Sequence, residues 1–314
     1  MIRRNIKVRS MDRKVAVQVQ FDKDCSAVLE AAAKAGFRYI SMGFGSYEGF
    51  AADGWEEKMR QLKEELSNLG LTCVMTHSPY YDLRISADIR YPLVDISMER
   101  CLEATAMLGA GIIAMHPRGC YPSGTHDTGD RESYNLRGLI PDDPKGCFSL
   151  GIEDKELSLR YNLEYWKPLA ERAARLGCLI GVENLPVFPG WSMTFFSSDP
   201  DAQIMLIDGL GEGGCGVWDF GHAYLTNKGS TEPLKRVGSR IKGLHVHDND
   251  LTSDQHLIPF LGSIDWREQI DALKSTGFDG YITLELAYRC DDHIGKFMED
   301  AYRAACRLDD MLRG

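Results

Sequence analysis

The sequence predicts an α/β fold, a (β/α)8 TIM barrel with a long loop after its fourth strand. Three observations carry that expectation. Short β-rich apolar runs alternate with longer amphipathic ones, and eight of the short runs occur. The short runs are continuously apolar, which implies parallel strands with helices covering the sheet. A glycine stands just past most helical stretches, as in Ala35-Gly36-Phe37, Leu69-Gly70-Leu71 and Leu176-Gly177-Cys178. Glycine accepts the left-handed conformation that closes a helix, and a new strand starts soon after each. Six strand–helix units would suit an open doubly wound sheet. Eight within 314 residues favour closure into a barrel.

The elements follow in order. Strands are expected over residues 15–21, 39–44, 72–77 and 112–116, with helices over 27–35, 55–69 and 93–108 between them. Residues 118–154 then break the rhythm, being rich in Gly, Pro, Asp, Ser and Tyr with little periodicity. A loop that long inside a compact domain usually has a function. It leaves the face where barrel active sites lie, so a lid and an ordered surface excursion suit it equally. The alternation resumes with helix 157–176, strand 179–183, helix 202–210 and strand 216–219. A weakly marked helical stretch around 233–237 precedes strand 241–247, helix 266–274 and strand 281–285. A last helix covers 294–312. No Gly/Ser-rich linker divides the chain, so residues 1–314 read as one domain. Its barrel core is about 14–290, and 291–314 form a C-terminal helix.

Composition narrows the setting. The chain is 44% hydrophobic and 26% charged, an ordinary globular balance, with a net charge of −10. No general basic field exists to attract nucleic acid or an anionic membrane, although a local basic cleft can exist on an acidic protein. Nine cysteines, at 25, 73, 101, 120, 147, 178, 215, 290 and 306, form no CxxC pair. Their odd number and apolar settings suit a reducing cytoplasm, with neither a disulfide framework nor a cysteine–zinc cluster. The first ten residues are basic but lack the apolar stretch of a signal peptide, and no run approaches the roughly 20 apolar residues of a membrane span. Oligomeric state is not legible, and a homo-oligomer is compatible with everything above.

The chemistry lies where polar residues interrupt the apolar strands. His77, His116, Glu183, Asp219, His247 and Glu285 stand near the C-terminal ends of six of the eight. A lone strand-end histidine is most often a hydrogen-bonded structural residue. A carboxylate inside Gly181-Val182-Glu183-Asn184 or Thr283-Leu284-Glu285-Leu286 is harder to dismiss. Burying it costs several kcal/mol or more unless a cation or dense hydrogen bonding compensates. With several such carboxylates converging on one barrel mouth, a divalent metal is the simplest compensating charge. Glu183, Asp219, His247 and Glu285 offer mixed O and N donors that suit Mn, Zn, Mg or Co. His222, three residues past Asp219, and the pair Asp254 and His256 join His77 and His116 as an outer set. That set leaves room for a second or third ion, or for substrate contacts and support of the first ligands. Trp191 and Phe188 are candidates for an apolar wall against substrate.

Several stretches resemble the xylose isomerase-like barrel superfamily. They are Thr76-His77-Ser78-Pro79-Tyr80, Met115-His116-Pro117, Val182-Glu183-Asn184-Leu185-Pro186, Asp219-Phe220-Gly221-His222-Ala223 and Leu244-His245-Val246-His247-Asp248-Asn249-Asp250. Asp254-Gln255-His256, Gly262-Ser263-Ile264-Asp265-Trp266 and the run from Gly277 to Glu285 continue the likeness. That superfamily includes sugar and sugar-phosphate isomerases and epimerases and the endonuclease IV repair nucleases. Resemblance to the ketose 3-epimerase branch implies metal ligation by Glu183, Asp219, His247 and Glu285, substrate contact by His222, and proton exchange by the two glutamates. A cation on the carbonyl oxygen would stabilise the enediolate charge while a carboxylate acts as base. That branch carries an arginine shortly after its metal histidine, whereas residues 248–255 here contain none.

Resemblance to endonuclease IV implies a three-zinc set of His77, His116, Glu183, Asp219, His222, His247, Asp254, His256 and Glu285. Against it, the residues after Glu183 are Asn-Leu-Pro-Val-Phe-Pro, not the Gly-rich run of the nucleases. The expectation is therefore an isomerase or epimerase of a sugar or sugar phosphate with one to three divalent ions. Glu183 and Glu285 are its catalytic pair, and His222, His116, His77 and Trp191 face a small carbohydrate. A metal-dependent phosphodiesterase and a carbon–carbon or C-glycoside lyase remain the alternatives.

Overall fold

The computed structural model describes residues 13–22, 24–79, 92–117, 120–122, 155–188, 193–288 and 293–314. Its strands in chain order are β1 (Val15–Gln20), β2 (Tyr39–Gly43), β3 (Thr72–His77), β4 (Ile112–Met115), β5 (Cys120–Pro122), β6 (Leu179–Glu183), β7 (Met193–Phe195), β8 (Gly214–Asp219), β9 (Ile241–His245) and β10 (Ile282–Leu284). Its helices are α1 (Cys25–Ala35), α2 (Tyr47–Ala51), α3 (Trp55–Leu69), α4 (Pro92–Leu108), α5 (Lys155–Leu176), α6 (Pro200–Leu210), α7 (Phe220–Asn227), α8 (Glu232–Val237), α9 (Trp266–Ser275) and α10 (Ile294–Arg313).

Eight strands form one sheet in the order β10-β1-β2-β3-β4-β6-β8-β9, and every pair within it is parallel. The seam between β9 and β10 is closed just beyond β9. There the Val246 N–H donates to the Thr283 carbonyl at 2.9 Å, and the Glu285 N–H donates to the Val246 carbonyl at 3.2 Å. The (β/α)8 barrel expected from the eight apolar runs is therefore the fold. β5 and β7 stand apart as a short antiparallel ribbon, pairing Cys120 with Phe195 and Pro122 with Met193. The ribbon joins the segments that leave neighbouring strands β4 and β6. Most of the expected loop 118–154 lies outside the described residues, as do Tyr80 and Trp191.

Helices form where the apolar period is 3.6 and stop at glycine. In α3, Trp55, Met59, Leu62 and Leu66 are buried at i, i+4, i+7 and i+11, one stripe against the sheet. Burying a side chain of this size stabilises by about 1.5–3 kcal/mol. Gly70 closes the helix at φ 67°, and its N–H bonds back to Leu66 and Ser67 carbonyls. Two short helices, α2 and α7, were not anticipated. α7 begins directly at the end of β8, because Asp219 caps it and accepts from the His222 N–H at 2.6 Å.

The barrel interior explains why the polar residues collect at one end. Met75, Ala114 and Val217 fill its lower layer, with Ile112 packed against them. Gly181 and Gly243 make room there, since a Cβ on either would come within 3.0 Å of the Val217 side chain. Inward positions recur every second residue. Two residues above the apolar layer, the same inward positions are His77, His116, Glu183, Asp219 and His245. The apolar plug is a floor, and the carboxylates and imidazoles are the layer on top of it. Among the described residues, no helix is long and apolar enough to cross a membrane.

Candidate metal centre

Glu183 lies at the end of β6, is fully buried, and is surrounded by imidazoles. Its Oε1 is 2.9 Å from His245 Nδ1 and 3.4 Å from His222 Nδ1. Its Oε2 is 3.2 Å from His77 Nε2 and 3.3 Å from His116 Nε2. Across the barrel mouth, Glu285 Oε2 is 3.3 Å from the same His245 Nδ1. Gln18 from β1 donates to Glu285 Oε1 at 2.7 Å, and its own oxygen accepts from the Ser41 hydroxyl at 3.3 Å. One donor atom each from Glu183, Asp219, His245 and Glu285 falls within 4.8 Å of the other three. His77, Glu183 and His245 form a second such group, which shares Glu183 and His245 with the first.

A third group lies beside these. Donor atoms of His222, His247, Asp254 and His256 converge within the same limit. His222 Nε2 and His256 Nε2 approach Asp254 Oδ2 at 3.1 Å and 3.2 Å. His247 stacks on His256 with centroids 3.8 Å apart, and its Nε2 is 3.1 Å from Asp219 Oδ2. Gly221 admits this ring, because a Cβ there would sit 1.9 Å from His247 Cε1. Asp254 and His256 belong to the loop between β9 and α9, which Asp248 fastens from below. The buried Asp248 carboxylate accepts from the N–H groups of Asn249, Phe260 and Ile264 and from the Trp266 indole.

Every titratable site residue expected from sequence thus lies in or against these groups, while Trp191 lies outside the described residues. Phe188 packs edge-on against Phe195 of the ribbon, at 6.3 Å between centroids. Sequence reasoning passed over His245. His247, the histidine expected as a ligand beside Asp219, has its Nε2 3.1 Å from Asp219 and also converges with His222, Asp254 and His256, while His245 converges with Glu183, Asp219 and Glu285. A readable signal existed, since residues 245 and 247 share one face of a strand. In the strand register Asp219 pairs with His245, so both histidines stand beside that carboxylate as candidate ligands.

The donor set fits a divalent cation on grounds internal to the site. His77, His222 and His256 each place Nδ1 against a backbone carbonyl, of Ser78, Asn184 and Glu285, at 2.7, 2.9 and 2.9 Å. A carbonyl only accepts, so each Nδ1 carries a proton and each neutral ring turns a bare Nε2 lone pair toward a carboxylate oxygen. Two lone pairs face each other there unless a cation lies between them or the ring is charged. The outer hydrogen bond that fixes ring and tautomer is the usual support of a metal-binding histidine. His245 Nε2, His247 Nδ1 and Asp254 Oδ1 are also buried without a hydrogen-bond partner. The set would hold Mn, Zn, Mg or Co.

Electrostatics follow from packing carboxylates and imidazoles together in a buried mouth. Burial pushes the Glu183 carboxyl up, but His245 and His116 beside it more than reverse this and hold it well below the usual range. Glu285 is treated likewise, by burial against His245 and His256, and falls to about 2. Burial lowers the His245 imidazole while Glu183 and Glu285 raise it, with a net rise to about 9. His256 also rises to about 9, through Asp254 and Glu285 acting against its burial. Burial wins at His116, which is lowered despite Glu183. Protons on imidazoles and a divalent ion are thus alternative ways to balance the same carboxylates.

The family described as xylose isomerase-like TIM barrel matches residues 29–308. The chain belongs to that family. Among curated relatives, an uncharacterized protein of Methanocaldococcus jannaschii is 30% identical over 127 residues, covering 40% of this chain and 42% of that protein. An uncharacterized protein of Sinorhizobium fredii is 31% identical over 98 residues, 30% of this chain and 31% of that one. The matched stretch therefore spans less than half of either relative. Solved structures of this xylose isomerase-like shape include a D-psicose 3-epimerase, with a TM-score of 0.68 at 16% identity, covering 96% of this chain and all of that one. A D-tagatose 3-epimerase-like protein gives 0.64 at 19% over 94% and 96% of the two chains. A 3-keto-D-glucoside 4-epimerase from E. coli gives 0.65 at 14% over 93% and 99%. At such identities the likeness is one of fold.

Proposed function

We propose that this protein is a divalent-metal-dependent isomerase or epimerase of a sugar or sugar phosphate. The observation that carries the reading is the pair of buried glutamates, Glu183 and Glu285, that share His245 Nδ1 from opposite walls of the barrel mouth at 2.9 and 3.3 Å. Glu183, Asp219 and Glu285, with His247 or His245 beside them, would hold a divalent ion, which would supply positive charge to acidify a C–H next to a carbonyl. The chain supplies the rest. Glu285 is ionised at neutral pH and can take a proton from a substrate carbon, with Gln18 fixing its orientation. Glu183 is ionised as well, so it can return a proton only after a neighbouring imidazole has passed one to it, while the proton taken up by Glu285 leaves to solvent. Return to the opposite face of the same carbon gives epimerisation, and return to the neighbouring carbon gives isomerisation. His222, His116 and His77 orient hydroxyl groups, and the buried walls exclude water.

The neighbours named as sugar epimerases support this reading through shared fold. The test is turnover of a panel of ketoses, aldoses and their phosphates by metal-loaded protein, with Glu183→Gln and Glu285→Gln alongside. The expected result is proton exchange with solvent at one substrate carbon, lost in both variants. Near-normal turnover in either variant removes that glutamate from the mechanism.

The outer group of His222, His247, Asp254 and His256 favours a second reading, a multinuclear phosphodiesterase. Incision of abasic-site DNA above background by metal-loaded protein would replace the isomerase reading with it.

A further inference from the structure

Behind the carboxylates, Ser197 Oγ, Gln203 Oε1 and Trp218 Nε1 are buried without a hydrogen-bond partner among the described residues. Their residues are 1%, 0% and 2% exposed. A buried donor or acceptor without a partner costs stability. All three residues line one cavity of about 10 Å³, between helices α6, α7 and α8 and the outer ends of β6 and β8. A buried water needs roughly 10–15 Å³ and two to four polar partners. The cavity has room for one.

The three atoms also fix the class of ligand. An indole N–H only donates, which excludes a cation, and an amide oxygen only accepts, which excludes an anion. The Gln203 amide has its orientation set independently. Its Nε2 donates to the Val182 carbonyl at 3.0 Å and to the Val217 carbonyl at 3.4 Å, and turning it over would set oxygen against two carbonyls. A ligand here must accept from Trp218 and donate to Gln203, while the Ser197 hydroxyl can do either.

The place of the cavity ties it to the metal centre. Val182 immediately precedes Glu183 on β6, and Val217 and Trp218 immediately precede Asp219 on β8. Side chains alternate along a strand, so Trp218 points to the helices while Asp219 faces the barrel mouth. Gln203 on α6 thus grips, from outside, the two strands that carry Glu183 and Asp219. Asn184 joins the same strand ends, donating to the Asp219 carbonyl at 2.9 Å and accepting from the Asp219 N–H at 2.8 Å.

We propose that this cavity binds one water molecule, which accepts from Trp218 Nε1, donates to Gln203 Oε1 and bonds to Ser197 Oγ, and that the amide so held positions Glu183 and Asp219 from outside the barrel. The value of that positioning rests on the reading of the two carboxylates as metal ligands. The water site does not.

Crystal structures of the metal-free wild type and of Gln203→Met test the proposal, together with calorimetric titration of both proteins with Mn and Co. Methionine keeps the length of the side chain and removes its hydrogen bonds. The wild type is expected to show one ordered water within hydrogen-bond distance of Trp218 Nε1 and Gln203 Oε1. In Gln203→Met that water should be lost, the Glu183 and Asp219 carboxylates should move by about 0.5 Å or more, and metal should bind about tenfold more weakly. Should Gln203→Met not fold, Trp218→Phe takes its place, since it keeps the ring packing, and it should lose the same water and weaken metal binding. A wild-type cavity without ordered density, one that holds an ion, or a direct bond between Trp218 and Gln203 overturns the water site. Carboxylates that stay in place overturn the positioning role, as does metal binding as tight as that of the wild type. A wild type that holds the water, with carboxylates that move in the variant, but that takes up no divalent ion would refute the metal reading alone.

Discussion

At the scale of single residues, Glu183 is the group on which most contacts depend, because four imidazoles face its two oxygens. Glu183→Gln keeps the volume but removes a charge and puts an N–H₂ where a donor atom is needed. Its turnover should fall by about 10²-fold or more, with far-ultraviolet circular dichroism unchanged. The metal-free protein should also show a characteristic pH profile. His245 and His256 are raised from an ordinary 6.5 to about 9, so their contribution to stability is complete below 6.5 and lost as pH rises through 9. Glu285 is lowered from 4.5 to about 2, so its contribution is complete above 4.5 and lost as pH falls toward 2. Melting temperature in the presence of chelator should therefore peak between about pH 4.5 and 6.5 and decline on both sides. A flat profile from pH 6 to 9 would contradict protonated imidazoles as the counter-charge.

At the scale of elements, the strands were legible in the sequence because most are short apolar runs that end near a polar residue and follow a glycine stop. Residues 179–183 and 112–116 needed nothing else. The small helices α2 and α7 were not legible. α7 has only eight residues and owes its start to a cap that is also a candidate ligand, Asp219. The β5–β7 ribbon escaped because three residues paired across neighbouring loops leave no periodicity. The approach of His245 to the carboxylates needed the register of β8 against β9, a property of two strands that neither contains alone.

The loop after β9 offers a test at this scale. Asp248→Ala strands four donors, three of them buried, and should lower unfolding stability by about 3 kcal/mol in urea. It should also weaken metal binding by the outer group, which includes Asp254 and His256, more than binding by the group of Glu183. Gly221→Ala should act more locally, displacing the His247 ring at a cost of about 1–3 kcal/mol.

At the scale of the whole molecule, the barrel converts a property of period two into a site. Parallel strands in register put an apolar plug of Met75, Ala114 and Val217 below and a ring of acids and imidazoles above. Three buried carboxylates at one mouth are tolerable only with a compensating charge, so under the proposed reading metal occupancy would add to fold stability. Chelation should therefore lower the melting temperature at pH 7.5, and readdition of Mn, Co or Zn should restore it in a concentration-dependent way.

The most direct measurement is the metal content of chelator-stripped protein after reloading and gel filtration, determined by elemental analysis for the wild type and for the double variant Glu183→Gln, Asp219→Asn. At least one tightly held divalent ion per chain in the wild type, with its loss in the double variant, is the predicted result. Wild-type protein that emerges free of metal, or a double variant that retains the full complement, would contradict the account.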